Sequence, residues 1–201
     1  MRRLALTLAA IAAAAVPAFA ADPIGKVDRI QGDATGTDGN LSGPLSAGAG
    51  IFLNEIVATS AAARLALSFL DGTTLTLGEN AKVTIDTFVY QPAGQSQLHA
   101  TVAGAFRYIS GKLADSATRQ ASVTTPIATI GVRGTDFWGG PIDGQFGVVL
   151  LEGAVTVTTP SGTASLLEAG QGVNVTSAAM SGVTTWPDDK RNRALATVAF
   201  Q

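Results

Sequence analysis

The 201-residue chain contains no cysteine. Disulfides, thiolate metal ligands, a nucleophilic thiol and a lipid-bearing cysteine are all excluded. It has one histidine, His99. A metal centre built on several imidazoles is out of reach, and a Ser-His-Asp arrangement has a single candidate base. Charged residues make up only 14%, and acids outnumber bases. A nucleic-acid partner needs a basic surface, and so does adhesion to anionic lipid. Neither is expected. Long apolar runs are missing too. The longest, 4–16, would span roughly 20 Å as a helix, short of a ~30 Å hydrocarbon core. The chain is not expected to be an integral membrane protein.

That run has a different use. Arg2 and Arg3 precede it, and Ala18-Phe19-Ala20 follows as a small-x-small cleavage site. This is the layout of an export leader, here 1–20, cleaved near Ala20, with an uncleaved anchor as the alternative. The remainder is expected in the periplasm or secreted. Without Arg2 and Arg3 it carries 11 Lys+Arg against 15 Asp+Glu. With no disulfide available, its stability must come from one sizeable core.

What is abundant is strand pattern. ARLALSFL (63–70) alternates Leu65, Leu67 and Phe69 on one face, and the Asp71-Gly72 turn signal leads into TTLTL (73–77). That is the period of a half-buried strand and the sequence of a tight hairpin. Similar runs occur at 24–30, 82–89, 98–102, 104–109, 121–125, 146–151, 154–159, 164–167 and 173–177. The pattern predicts an all-β fold: an antiparallel, jelly-roll-like sandwich or β-roll of about ten or more short strands. Two stretches echo each other. GKV at 25–27 leads to Gly32 and then LSAGAG (45–50), and GVV at 147–149 leads to Gly153 and then LEAGQG (167–172). The first and last strand pairs should therefore occupy related positions. Trp186-Pro187-Asp188-Asp189 reads as a helix start, followed by a short apolar stripe. The expected organisation is a leader (1–20), a β domain (21–180) and a tail with a short helix (181–201), which caps one end or docks a partner.

The densest gathering of large and charged side chains is TTPIATIGVRGTDFWGG, 124–140. Pro126 should interrupt a ladder after Thr125. Gly131 and Gly134 flank Val132-Arg133 and permit a bend. Arg133 is expected near the core, tying down carbonyls or a carboxylate with its five donors, and Thr135 should add a bond at the corner. The alternative makes Arg133, Asp136, Phe137 and Trp138 a surface patch for a peptide or glycan. Phe137 and Trp138 should face opposite sides of a strand, with Trp138 at a loop rim.

These segments together resemble the FecR domain. The resemblance rests on IGKVDRIQGDAT (24–35), AGAGIFLNEIVATSAAARLALSFLDGTTLTLGENAKVTI (47–85), TPIATIGVRGTDFWGG (125–140), GVVLLEGAVTV (147–157) and LLEAGQGV (166–173). It implies the periplasmic domain of iron-dicitrate-type regulators, which take a signal from an outer-membrane receptor and control a sigma factor. Its family motif here is Thr125, Pro126, Gly131, Arg133, Gly134 and Thr135. Ahead of the resemblance this sequence shows only the leader, so the implication reduces to a non-enzymatic envelope domain that binds another envelope protein, in signalling or assembly. Asp136, Phe137 and Trp138 are the candidate contacts. No catalytic residue, cofactor or metal is assigned. Two alternatives stand beside it. One is a carbohydrate-binding sandwich stacking sugars on Trp138, Trp186 or Tyr108. The other is a hydrolase using a carboxylate pair such as Asp136 and Asp143.

Overall fold

The computed structural model describes residues 22–91, 96–111 and 119–201; the leader lies outside them. Among the described residues sixteen strands form one curled sheet. They are β1 (Gly25–Gln31), β2 (Ala34–Asp38), β3 (Leu41–Pro44), β4 (Gly50–Ile51), β5 (Ile56–Thr59), β6 (Arg64–Phe69), β7 (Thr74–Leu77) and β8 (Lys82–Val89). Then come β9 (Ser96–Ala103), β10 (Phe106–Ile109), β11 (Arg119–Thr124), β12 (Thr129–Ile142), β13 (Gln145–Thr159), β14 (Gly162–Leu166), β15 (Gln171–Val175) and β16 (Thr184–Thr185). Among the described residues one helix, α1 (Asp188–Ala196), follows the strands.

The long hairpin β12–β13 organises everything else. Its two strands pair along their whole length but slip register between Arg133 and Asp136. Before the slip, β12 pairs with β11; after it, with β10. On the far side, β13 pairs with β15 before Gly153 and with β14 after it. The hairpin therefore bends once and belongs to two wings. The first wing runs β3-β2-β5-β8-β9-β11, then β12, β13 and β14; the second runs β4-β1-β6-β7-β10, then β12, β13 and β15-β16. The wings face each other across one core, to which Leu65, Leu67 and Leu75 contribute from the second wing and Val83, Ile85 and Leu98 from the first. Phe69 and Phe88 bridge the wings at 5.9 Å between ring centroids. This is the β-roll that the alternation predicts. The expectation of purely antiparallel pairing needs one correction, because β11 runs parallel to β9. The outer face of the first wing carries a cross-strand row of hydroxyls: Thr84, Thr101, Thr124, Thr129, Thr158 and Thr163. That row is why the sequence alternates Thr with Val: one face of the wing is wet.

The internal echo has a structural counterpart. β1 and β2 are joined through Gly32 as the halves of β13 are joined at Gly153, and both glycines have positive φ, 70° and 82°. The return corners, Gly48 and Gly170, match at 85° and 89°. The amide of Gly48 donates to the Val27 carbonyl and that of Gly170 to the Leu150 carbonyl, each at 2.8 Å. β4 then pairs with β1 as β15 pairs with β13.

Pro187 stands at the N-cap of α1, with Asp188 and Asp189 in the first turn and Arg193 in the last. Both charge placements suit the helix dipole. The helix covers the outer face of the second wing and closes a second apolar cluster of Ala105, Trp138, Val149, Trp186, Ala194 and Val198. Arg193 also reaches Asp143 at the tip of the β12–β13 hairpin, 2.5 Å away. The Arg193 hydrogen bond, with the nearby Lys190 charge, holds the Asp143 carboxyl below its ordinary range. A depressed carboxyl stabilises the native state above its unfolded value, about pH 3.9. That contribution disappears as pH falls through the lower native value. Acid titration followed by tryptophan fluorescence should show α1 loosening below about pH 4, and Asp143→Asn should remove that component.

Candidate functional site

The motif at 124–140 is the place where the sheet changes wings. Its first part is a tight turn. Thr125 accepts the Ala128 amide on its hydroxyl at 3.0 Å and donates that hydroxyl to the Ala128 carbonyl at 2.9 Å. Pro126 sits in the turn after β11 ends, as a residue without an N–H should. Gly131 lies in regular ladder opposite Thr156. Only Gly134 takes a left-handed conformation, φ 59°.

The corner is held by Thr135, not by Arg133. Thr135 is buried. Its hydroxyl donates to the Ala154 carbonyl at 2.7 Å across the hairpin and accepts the Arg133 amide at 3.2 Å. Its own amide donates to the Ser110 hydroxyl at 3.0 Å, and its carbonyl accepts the Ser110 amide at 2.9 Å. Arg133 is exposed, and its guanidinium has no hydrogen bond among the described residues. The expectation of a buried, donor-rich arginine is therefore corrected. The bend turns the Arg133 side chain outward and leaves the satisfaction of two backbone groups to a two-carbon hydroxyl. Thr135→Val keeps the shape and strands the Arg133 amide and the Ala154 carbonyl. Chemical denaturation should show a loss of roughly 1–3 kcal/mol, while Arg133→Ala should stay within about 0.5 kcal/mol.

The residues offered as a contact patch are placed differently. Asp136 is half-buried and accepts a bidentate pair from Arg107, Nε at 2.9 Å and Nη2 at 2.6 Å. This hydrogen bond raises the Arg107 pKa further above its ordinary value, against the opposing effect of burial. Phe137 points into the core between the wings, where it meets Phe106 edge-on at 5.7 Å. Trp138 points the other way, as adjacent strand residues must, but it is not at a rim: α1 covers it. Both rings have 0% exposure. The indole N–H of Trp138 donates to the Thr197 hydroxyl at 3.0 Å. The two tryptophans meet at 6.3 Å. They lie over a floor of glycines, since a Cβ on Gly140 would stand 2.9 Å from the Trp138 ring and one on Gly147 2.5 Å from Trp186. Gly140 is thus room for indole, and Gly139 is room for the Phe106 ring, which a Cβ there would approach to 2.8 Å; the pair is not a loop signal. None of the three contact candidates offers a free side chain in this fold.

The other chemistries fare as follows. Trp138, Trp186 and Tyr108 are at most 2% exposed, so the sugar-stacking platforms are interior. Tyr108 is buried enough that its hydroxyl pKa rises well above the ordinary phenol value, despite nearby Thr73 and Ser110. Asp136 and Asp143 stand at the corner and at the tip of β12, roughly 20 Å apart at strand rise, and do not converge. The fold does bring partners to His99 that the sequence separates. Its Nδ1 lies 2.7 Å from the Ser122 hydroxyl and its Nε2 3.9 Å from the Asp86 carboxylate. This trio sits on the open face of the first wing. The backbone donors beside it belong to the β8–β9–β11 ladder, so among the described residues no oxyanion hole faces Ser122. Among the described residues no cluster of three or more His, Asp or Glu is placed to hold a metal, and no helix is long and apolar enough to cross a membrane.

Arg107 and Ser110, which hold Asp136 and Thr135, carry no local signal in the sequence. They become partners only because β10 lies beside β12.

No curated protein sequence matches the chain. Two crystal structures of a candidate anti-sigma factor from Parabacteroides distasonis share its fold, with TM-scores of 0.58 and 0.57. Each is 16% identical and overlaps 70% of this chain. The overlap spans only 64% and 63% of those chains. The family model for the FecR protein matches residues 55–156, from β5 through the wing-changing corner and into the second half of β13. With more than half of its length matched, the chain belongs to the FecR family.

Proposed function

We propose that this FecR domain is a non-enzymatic, exported protein-interaction domain that works in cell-envelope signalling, in the periplasm, after removal of 1–20. What carries the reading is where the polar groups of the family motif go. Thr125 closes a turn, Thr135 closes the corner and Asp136 is engaged by Arg107. The motif builds a scaffold and leaves no activated nucleophile or base, which suits a domain whose output is binding. The solved relatives described as a candidate anti-sigma factor support a regulatory role. Crosslinking in intact cells tests it. A specific envelope protein should be captured by the mature chain, whose mass should begin at Ala21. Recovery of the chain in the cytoplasm with its leader intact, or capture of glycan alone, would overturn the reading.

A further inference from the structure

Among the described residues, four strands have a neighbour on one side only: β3, β4, β14 and β16. An open edge presents unpaired N–H and C=O groups, and proteins blunt such edges with brevity, proline or charge. β4 and β16 are two residues long, and β3 ends at Pro44. β14 is different. It has five residues, Gly162–Leu166, with no proline and no charge, and the flanking 159–167 is also uncharged.

The wings are unequal at this edge. Beyond β13 the first wing has β14 alone. The second wing has β15, and then the chain returns along it. Met180 bridges to Val175, the Ser181 amide donates to the Asn174 carbonyl at 2.9 Å, and Thr184-Thr185 pair with Gly172-Gln171. The second wing thus overhangs by one strand width. The segments along this edge carry apolar residues. Met180 is half-buried against the core, Val183 is 39% exposed, and Leu167, one residue past β14, is 67% exposed.

We propose that the open edge of β14 is a strand-addition site for an extended, uncharged segment of a partner polypeptide. The added strand completes the first wing over the overhang. Main-chain hydrogen bonds to β14 supply the affinity. Alternate side chains of the segment face Met180 and require apolar residues, while the others join Thr163 and Ser165 on the hydroxyl face and tolerate Thr or Ser. A second copy of this chain fits less well, because pairing two β14 edges about a two-fold axis would drive both overhangs into one space. The inference rests on the reading of the domain as a protein-binding module and names where on it a partner lies.

The natural neighbour of β14 supplies the probe. A capped peptide of residues 154–159, AVTVTT, carries Val155 and Val157 on one face and Thr156 and Thr158 on the other. Titrated into the isotope-labelled full chain, it should give saturable amide shifts centred on 162–166 and 180–185. Val183→Lys, at an exposed position, should weaken binding at least tenfold. Thr163→Pro, with its fold checked by circular dichroism, should abolish it. Ser42→Lys on the opposite edge should change nothing. Shifts centred on β3, no saturable shift, or full binding by Val183→Lys would overturn the proposal. So would a concentration-dependent dimer that Thr163→Pro dissolves, which makes the occupant a second copy. If a cellular partner is captured yet leaves the 162–166 amides unchanged, the binding function stands and this site falls.

Discussion

Trp138→Ala should lower stability by about 3–5 kcal/mol, the range for deleting a fully buried large aromatic. Trp138 has 0% exposure although it points away from the main core. It is buried because α1 and Trp186 close over the outer face of the second wing. Its removal uncovers Gly140, leaving Trp186 over Gly147, and leaves Thr197 without the indole donor. The hydroxyl of Thr197 still donates to the Ala194 carbonyl at 2.6 Å, but that bond lies within the helix end and does not tie it to the sheet. Trp138→Phe retains most of the apolar contact and loses the donor, and should cost clearly less. Urea unfolding measures both. Near-ultraviolet dichroism should lose the Trp138–Trp186 signal in the alanine variant, while the far-ultraviolet β signal persists at low denaturant. A Trp138→Ala protein of unchanged stability would mean that α1 does not dock on this face. It would also return Trp138 to the list of surface contacts.

Most of the strands were legible because alternation is a local property. Leu65, Leu67 and Phe69 announce an inward face whatever lies beside them. Of the short strands, β2 is announced only as the return strand after Gly32, and β3 and β5 are not announced at all. ATGTD and LSGP are rich in the residues that mark turns, and IVAT is only four residues long. They become strands because neighbours complete their ladders, which is tertiary information. The parallel pairing of β9 with β11 is invisible for the same reason. At the corner the failure has a sharper cause. Counting in twos from Thr129 and Gly131 puts residues 133, 135 and 137 on one outward face. The register slip between Arg133 and Asp136 breaks the count, so Thr135 and Phe137 go inward and Arg133 stays out. A bulge announced only by Gly134 cannot be separated, in one sequence, from a glycine that lets an arginine approach the backbone. The chemistry suggested the large residue; the geometry chose the small one. The two wing-crossing glycines, by contrast, were visible as an echo, and their matching dihedrals make that echo a statement about topology.

Gly153→Ala tests that topology. Gly153 has φ 82°, where an L-residue is disfavoured by roughly 1–2 kcal/mol. A Cβ there would stand 1.8 Å from the Gly134 carbonyl oxygen and 2.7 Å from its carbon. Those are backbone atoms on the facing side of the same bend, and neither can swing aside as a side chain could. Separating them adds the strain of overpacking, about 1–3 kcal/mol. The expected total is roughly 2–5 kcal/mol. Gly32, the equivalent crossing in the first pair, has φ 70° and would bring its Cβ 3.1 Å from the Cα of Ala63, so Gly32→Ala should cost less. Gly39, at φ 56° with nothing within 4 Å, isolates the dihedral penalty alone, about 1–2 kcal/mol. Denaturant unfolding of the three alanine variants should therefore rank Gly153 above Gly32 and Gly32 above Gly39. Hydrogen exchange should add a spatial signature. In Gly153→Ala, amides on both sides of the bend in β12 and β13 should lose protection together, because one hairpin belongs to both wings. Loss of protection confined to one wing would mean that the hairpin is not the element that joins them.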